Sequence, residues 1–169
     1  DRATEFPRTT EVQQGLSLIE ERSGALGRFL RSYAQLARLP KPKPKPLEVA
    51  DLVHRIVDLE KRSPVAIEPS PPVRLVADSD QIEQLLINVL RNAVDAAQDT
   101  GGNVSIGWKR TGDWFELHID DEGKGLSDTS NLFVPFFTTK PNGSGIGLAL
   151  SRQIAEAHGG TMSLENRTP

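Results

Sequence analysis

Residues 88–93 of the sequence read NVLRNA. Asn88 and Asn92 stand four residues apart, so their amides project from one face of a helix. Neutral amide oxygens suit Mg²⁺, which takes few protein ligands and keeps phosphate and water oxygens for the rest. Two asparagines on a helix are more often surface or capping groups, so this stretch alone leaves both interpretations open.

Helices and short strands alternate around this stretch. Apolar spacing predicts three helices, over about 47–61, from a cap at Asp78 or Asp80 to about 98, and over about 146–158. Period-two patterns predict strands at 65–67, 73–76, 104–109, 115–120 and 161–165. Gly159 and Gly160 should stop the last helix. Helices interleaved with an antiparallel-leaning sheet indicate an α+β sandwich with the helices on one face.

A second motif, DEGKG at residues 121–125, directly follows a predicted strand. Asp121 can accept a hydrogen bond from an exocyclic amine, while Gly123 and Gly125 allow the backbone to approach a flat ring. The same five residues would also make an ordinary turn. Taken alone, they are therefore a weak signal.

Two further motifs follow toward the C-terminus. FVPFFTTK at 133–140 places three phenylalanines in a segment otherwise rich in loop residues, where aromatic anchors could hold a mobile lid and leave Lys140 free for a phosphate. GSGIGL at 143–148 opens a helix, whose N–H groups and dipole favour an anion. A Rossmann site is disfavoured, because this motif follows a loop and not the first strand of a βαβ unit.

In this order the four motifs resemble the N, G1, F and G2 boxes of histidine kinases, over about residues 47–167. The resemblance implies the two-layer, Bergerat-type α/β sandwich that these kinases share with gyrase, MutL and a heat-shock chaperone. The short lid with Thr-Thr-Lys is similar to that of the nitrogen-regulation sensors. ATP and Mg²⁺ are the implied cofactors.

The resemblance also implies roles for individual residues. Asn92 and Asn88 would hold Mg²⁺, Asp121 would bind the adenine amino group, and Asn88, Asn92 and Lys140 would form the catalytic set. The other implied ATP contacts are Gly123, Gly125, Phe133, Phe136, Phe137, Thr138, Thr139, Gly143, Ser144, Gly145, Ile146, Gly147 and Leu148.

Two positions distinguish this chain from relatives of the family. ATP-hydrolysing cousins carry a glutamate at the position of Asn88 to activate water. An amide cannot accept that proton, which favours phosphoryl transfer to a side chain over hydrolysis. Where many kinases have a basic residue three positions after the second asparagine, this chain has Asp95, so one phosphate contact of the family lacks its usual residue.

Before the globular unit the sequence predicts one long helix, from about Glu11 to Leu39. Its heptad seam needs a partner helix and consists of Val12, Leu16, Ile19, Ser23, Leu26, Leu30, Tyr33 and Ala37. The helix resembles the second dimerisation helix of histidine kinases, and residues 1–10 resemble the loop before it. The PKPKPKP stretch at 40–46 predicts a stiff polyproline spacer, although it could also be a ligand for a proline-recognition module.

We therefore expect a partial dimerisation domain over 1–39, a linker over 40–46 and an ATP-binding domain over 47–169. His54, His118 and His158 are the three histidines, and none lies in a phosphoacceptor context. The resemblance places the acceptor on a first helix. The chain is accordingly expected to be a piece of a longer kinase, without that helix and without a final strand.

The implied function is a protein histidine kinase. It would transfer the γ-phosphoryl group of Mg-ATP to its own histidine and then to an aspartate of a response-regulator receiver domain, and its parent would form a homodimer through the dimerisation helices. A degenerate nucleotide-sensing scaffold is the main alternative. A gyrase-type or MutL-type ATPase and a serine kinase acting on an anti-sigma antagonist fit the motifs and the heptad helix less well.

Composition limits the partners and the location. The 169 residues carry a net charge of −3 and no cysteine, which argues against nucleic-acid binding and excludes disulfides. No stretch approaches the roughly 20 apolar residues that cross a bilayer. We expect this chain to make no membrane contact and to lie in the cytoplasm, with a parent that could be anchored in the inner membrane.

Overall fold

A computed structural model of the chain describes residues 9–37, 39–126, 130–140 and 143–167. The chain divides into two compact units, residues 1–38 and 39–169. The first contains the helix α1, Thr9–Ala37. The predicted bounds were Glu11–Leu39. Residue 38 and most of the loop expected over 1–10 lie outside the described residues. Seam side chains such as Leu16 and Ile19 are exposed.

The second unit contains eight elements in its described residues. In chain order they are β1 (Lys45–Glu48), α2 (Val49–Leu59), β2 (Val65–Ile67), β3 (Arg74–Ala77), α3 (Ser79–Gln98), β4 (Val104–Thr111), β5 (Trp114–Asp121) and α4 (Gly147–Ala157). β1 pairs with β3 in an antiparallel ladder. β2 pairs in parallel with β4, which forms an antiparallel hairpin with β5. The α+β fold is confirmed.

The three-stranded sheet has one apolar and one polar face, because side chains alternate along β4. Val104, Ile106 and Trp108 are buried and pack in the core clusters that also contain helix residues. Ser105 lies on the other face, where its hydroxyl donates to a carboxylate oxygen of Glu68 at 2.9 Å. The helices therefore cover one face of the sheet, as predicted.

Helix α3, which carries the asparagine pair, is fixed by the core and by its N-terminal cap. Leu86 and Leu90 pack against Leu52 and Ile56 of α2. Full burial of such a side chain stabilises the fold by roughly 1.5–3 kcal/mol. The Asp78 carboxylate caps the helix, accepting hydrogen bonds from the first-turn N–H groups.

Helix α4 ends as the sequence predicts. Gly159 adopts a positive φ of 77°, which glycine enters without a steric penalty. The N–H of Gly160 donates to the carbonyl oxygen of Ala155 at 2.9 Å, and the N–H of Gly159 donates to Glu156 at 3.0 Å. These two bonds form a Schellman motif, which satisfies carbonyl groups at the helix end.

Two segments differ from the predictions. Residues 45–48, expected as linker and helix start, form β1 because Leu47 finds a partner opposite it in Leu75. Residues 161–165, expected as a strand, pair with no strand in the described part of the chain. An alternating pattern gives no ladder without a partner edge. Asn166 instead exchanges two side-chain hydrogen bonds with the backbone of Leu126, at 2.7 and 2.9 Å.

Candidate functional site

The asparagine pair of α3 lies beside two of the other motifs. Asn92 Oδ1 accepts a hydrogen bond from the Lys140 ammonium at 3.2 Å. A Cβ added to Gly147 would lie 3.8 Å from the Cβ of Asn88, so the first turn of α4 is next to that asparagine. The FVPFFTTK and GSGIGL motifs therefore meet α3 one helical turn apart.

The DEGKG motif contacts α3 nearer to the C-terminal end of that helix. Asp121 ends β5, and its Oδ1 accepts a hydrogen bond from the N–H of Gly123 at 2.9 Å. A Cβ on Gly123 would come within 2.7 Å of the Cβ of Ala96, so glycine permits this close approach to α3. Ala96 follows Asn92 by four residues, or about 6 Å along the helix axis.

Three of the motifs thus contact one strip of α3, residues 88–96, which contains the fourth motif and which we call the α3 strip. The glycine helix start contacts it near Asn88, Lys140 contacts it at Asn92, and the DEGKG loop contacts it at Ala96. The motifs are separated by up to 59 positions in sequence, from 88 to 147, yet they form one neighbourhood.

Lys140 is not free, contrary to the sequence-based expectation. Its Nζ also lies 2.5 Å from Asp95 Oδ2, and Asp95 Oδ1 accepts from Arg62 Nη1 at 2.6 Å. Partial burial alone would raise the pKa of the Asp95 carboxyl, but the hydrogen bonds from Lys140 and Arg62 outweigh it and lower the pKa. Arg62 was not among the predicted site residues.

The phenylalanines serve the loop in different ways. Phe133 is half-buried, and the Arg152 guanidinium of α4 lies 5.1 Å from its ring centroid. Phe136 and Phe137 have exposed side chains, 38% and 45%. Phe136 is held through its backbone, since its N–H donates to the carbonyl oxygen of Gly145 at 2.8 Å. Among the three predicted aromatic anchors, only Phe133 is half-buried.

The glycine motif allows a tight approach of two loop segments. Gly145 has a φ of 65°, and a Cβ there would lie 2.5 Å from the carbonyl carbon of Phe136. The hydroxyl of Thr138 accepts a hydrogen bond from the Lys140 N–H at 3.1 Å, and the Gly143 N–H donates to the Lys140 carbonyl at 3.1 Å. These bonds shape the backbone around Lys140.

The start of α4 has features that suit an anion. Ile146 is the N-cap residue, with no side-chain capping bond, and its side chain is buried at 3% exposure. Gly143 and Ser144 before it are exposed, and Leu148 is half-buried. Thr139 is exposed in the preceding loop. First-turn N–H groups without a capping side chain can bind an anion.

The part of the chain that the structure describes contains no helix with the length and apolar character needed to cross a bilayer.

Comparisons with known proteins show the family of the chain. Residues 77–169, more than half of the chain, match the histidine kinase-, DNA gyrase B- and HSP90-like ATPase family. Sensor protein FixL of Bradyrhizobium diazoefficiens is 31% identical over 171 residues, covering 95% of this chain and 34% of that protein.

Two solved structures are similar as well. The mycobacterial sensor histidine kinase MprB has a TM-score of 0.60 at 29% identity, covering 69% of this chain and 80% of that one. The ATP binding domain of PrrB from Mycobacterium tuberculosis has a TM-score of 0.58 at 29% identity, covering 73% and 88%.

The chain therefore belongs to the histidine kinase-, DNA gyrase B- and HSP90-like ATPase family, whose members bind ATP. Within that family it is a histidine kinase catalytic domain, as its sensor kinase relatives indicate. The family predicted from the four motifs is thereby confirmed. The chain spans about a third of the length of FixL, 34%.

Proposed function

We propose that this domain binds Mg-ATP along the α3 strip and presents the γ-phosphoryl group to a histidine outside this chain. The observation that carries the proposal is the convergence of the four motifs on residues 88–96. The DEGKG loop lies at one end of the strip, the start of α4 lies at the other, and Lys140 lies between them. An extended nucleotide has the same order, with base at one end and phosphates at the other.

The base end would be the Asp121 loop. Its Oδ1 is already fixed by the Gly123 N–H, so the carboxylate is oriented to accept from the adenine amino group. Gly123 and Gly125 would leave room for the ring. Gly125 has a φ of 73°, a backbone conformation that a side chain would strain.

The phosphate end would combine α4 and Lys140. The N–H groups at residues 145–148 and the ammonium supply positive charge without a proton transfer. The remaining proposed contacts belong to the loop that precedes α4: Phe133, Phe136, Phe137, Thr138, Thr139, Gly143 and Ser144.

The amides of Asn88 and Asn92 fit a magnesium ion. Asn92 Oδ1 accepts from an ammonium, which supports an oxygen directed toward a cation position. When bound, Mg²⁺ would neutralise charge on the phosphate oxygens. The protein side would contribute the two amide oxygens and hold the phosphates in line for attack.

The proposed reaction is transfer and not hydrolysis. The incoming imidazole nitrogen forms a bond to the γ-phosphorus while the bond from that phosphorus to the β–γ bridging oxygen breaks. ADP leaves with the electron pair, and the imidazole proton passes to solvent. Asn88 cannot take a proton from water, which supports a side-chain nucleophile as acceptor.

The partners proposed for the whole kinase follow from this reaction. The phosphohistidine would pass its phosphoryl group to a receiver-domain aspartate of a response regulator. Exposed seam residues on α1, including Leu16 and Leu30, support homodimer formation through this helix. Because ATP is the proposed substrate, we expect the domain to work in the cytoplasm.

Calorimetry of ATP binding tests the base end of the site. Asp121→Asn should weaken binding by about 1–3 kcal/mol through loss of a charge-assisted hydrogen bond. Asp120→Asn is the matched control, because alternation along β5 places that side chain on the opposite face of the sheet. Equal affinities of wild type and Asp121→Asn would remove Asp121 from the adenine site.

Titration with and without Mg²⁺ tests the metal end. Asn92→Ala should abolish the Mg²⁺-dependent part of ATP binding, because the ion loses a protein oxygen. A variant that retains the full metal dependence would place the ion elsewhere.

Radiolabelled ATP distinguishes the kinase from a nucleotide-sensing scaffold. The chain alone should acquire no acid-labile label, and a separate dimerisation domain with its phosphoacceptor histidine should become labelled when added. Acid-labile, base-stable label at His54, His118 or His158 of this chain would contradict an external acceptor. No label on the added domain, despite ATP binding, would favour the scaffold.

A further inference from the structure

We propose that Asp95 is a positioning residue that holds the Lys140 ammonium at the phosphate end of the nucleotide site. The inference rests on the proposed function, because it assumes that phosphates bind beside Asn92. It assigns a role to the residue at which this chain departs from the usual kinase pattern. Lys140 supplies the positive charge from the loop before α4, and the Asp95 carboxylate on α3 holds its ammonium in place.

Four charged side chains form a continuous chain of ion pairs. Glu60 accepts from Arg62 at 3.0 Å and 2.7 Å, Arg62 donates to Asp95 at 2.6 Å, and Asp95 lies 2.5 Å from Lys140 Nζ. Each oxygen of the Asp95 carboxylate has its own cation. Arg62 therefore orients the Asp95 carboxylate through one oxygen. The other oxygen of the carboxylate holds the Lys140 ammonium next to Asn92.

The position of Asp95 on α3 places the Lys140 ammonium beside Asn92. Asp95 follows Asn92 by three residues, so the two side chains are neighbours on one helix face. The Lys140 ammonium bonds to both, at 3.2 Å to Asn92 Oδ1. A cation held in this way sits at the point where the proposed phosphates and metal would meet the helix.

Restraining the Lys140 side chain in advance reduces the entropy lost when ATP binds. A lysine side chain has about 2 kcal/mol of rotamer entropy, which a binding site must overcome when it immobilises the ammonium on a phosphate. Lys140 lies outside the helices and strands, and its side chain is 45% exposed. Restricting the side chain before the nucleotide arrives lowers this cost.

An ordinary surface ion pair would do much less. Exposed pairs contribute about 0–1 kcal/mol, because water screens them and two long side chains must be ordered. Here the Asp95 side chain is only 33% exposed, and both of its oxygens are paired. The pair also connects the loop to the helix at a proposed ligand of the metal, which an isolated surface pair does not.

A double-mutant cycle tests whether Asp95 acts through Lys140. The variants are Asp95→Asn, Lys140→Met and the two combined, and the readout is ATP affinity in Mg²⁺. Lys140→Met should weaken ATP about tenfold, the size of one charge-assisted hydrogen bond. Asp95→Asn should weaken it about threefold to fivefold, the effect of losing preorganisation alone. The combined variant should be no weaker than Lys140→Met.

AMP separates positioning from a general structural effect. It lacks the phosphates that Lys140 would contact, so its affinity, measured by competition with a fluorescent ATP analogue, should be the same in all variants. Asp95→Glu should recover part of the ATP affinity. Glu48→Gln is the control, because it removes the negative charge from a more exposed ion pair, that of Glu48 with Arg74 at 2.5 Å, on the β1–β3 sheet.

Three outcomes would overturn the inference. Tighter ATP binding in Asp95→Asn would mean that the carboxylate withholds Lys140 from the phosphates. Additive losses in the combined variant, or an equal loss of AMP affinity, would mean that Asp95 acts only on the structure. If the wild type binds neither ATP nor AMP, the proposed function fails as well. If the wild type binds both nucleotides and one of the three outcomes is found, only the inference about Asp95 fails.

Discussion

The imidazole of His158 joins the end of α4 to the start of α3. Its Nε2 accepts a hydrogen bond from the backbone N–H of Asp78 at 3.1 Å, and its Nδ1 lies 2.8 Å from the carbonyl oxygen of Ile154. These partners assign the proton to Nδ1. Because both ring nitrogens are used, His158 is structural.

Replacing His158 should destabilise the domain. His158→Ala leaves the Asp78 N–H without its acceptor, and the free energy of unfolding should fall by about 1–3 kcal/mol. Urea unfolding measures this loss. His54→Ala is the control, since exposed His54 bonds to Ala50 of its own helix, at 2.7 Å, and should change stability by less than about 0.5 kcal/mol. Equal losses would show that the link between the helices contributes nothing.

The cap at Asp78 should make stability depend on pH. A hydrogen bond from the Lys43 N–H, together with those from Gln81 and Asp80, lowers the pKa of the Asp78 carboxyl. The charged form is therefore favoured by folding. Its contribution is fully present above the ordinary pKa of about 3.9 and is lost as the pH falls through the lowered value.

Asp78→Asn isolates that charge, because asparagine caps a helix about as well as aspartate. The variant should unfold at lower urea concentration than wild type at pH 6, and the two midpoints should converge in acid. A difference that persists unchanged at pH 2 would attribute the effect to packing and not to the charge.

Gly145 should tolerate no side chain. Gly145→Ala combines a positive φ of 65° with a Cβ placed 2.5 Å from the Phe136 backbone, so it should cost more than the roughly 1 kcal/mol of backbone strain alone. Gly112→Ala supplies the reference, because Gly112 has a similar φ of 62° and open space around it. Thermal unfolding compares them. A similar loss in both variants would mean that the loop moves aside at no cost.

Gly147 offers the opposite case. A Cβ there meets Asn88 at 3.8 Å, an ordinary contact, so Gly147→Ala should retain or slightly increase stability. If phosphates approach this backbone closely, ATP affinity should nevertheless fall by about tenfold or more, through steric exclusion. Calorimetry and thermal unfolding on the same sample separate the two effects. Unchanged ATP affinity would place the phosphates away from residue 147.

Local signals carried most of the sequence prediction. The Asp78 cap, the glycine stop of α4 and the β4–β5 hairpin each depend on residues close in sequence, and the structure has all three. Strand β1 was missed because its partner β3 lies some 30 residues further along the chain. The 161–165 strand was wrong because apolar alternation does not specify a partner.

The candidate site also has a part that was predictable from the sequence and a part that was not. Motif residues were recognisable because glycines, asparagines and Asp121 stand in a fixed order. The pairing of Lys140 with Asp95 and Arg62 was not, since Arg62 and Asp95 are separated by 33 residues and Asp95 and Lys140 by 45. No local pattern encodes such distant ion pairs, which depend on how α3 packs.

The hairpin also gives the protein a built-in optical probe. Trp108 is 4% exposed, and its indole N–H donates to the Pro71 carbonyl at 2.8 Å, whereas Trp114 is 70% exposed. These are the chain's two tryptophans. Emission from Trp108 should be blue-shifted in the folded protein and move to longer wavelength on unfolding, while acrylamide should quench Trp114 in both states. Since neither residue is on the α3 strip, intrinsic fluorescence would report the integrity of the sheet and stay silent to nucleotide.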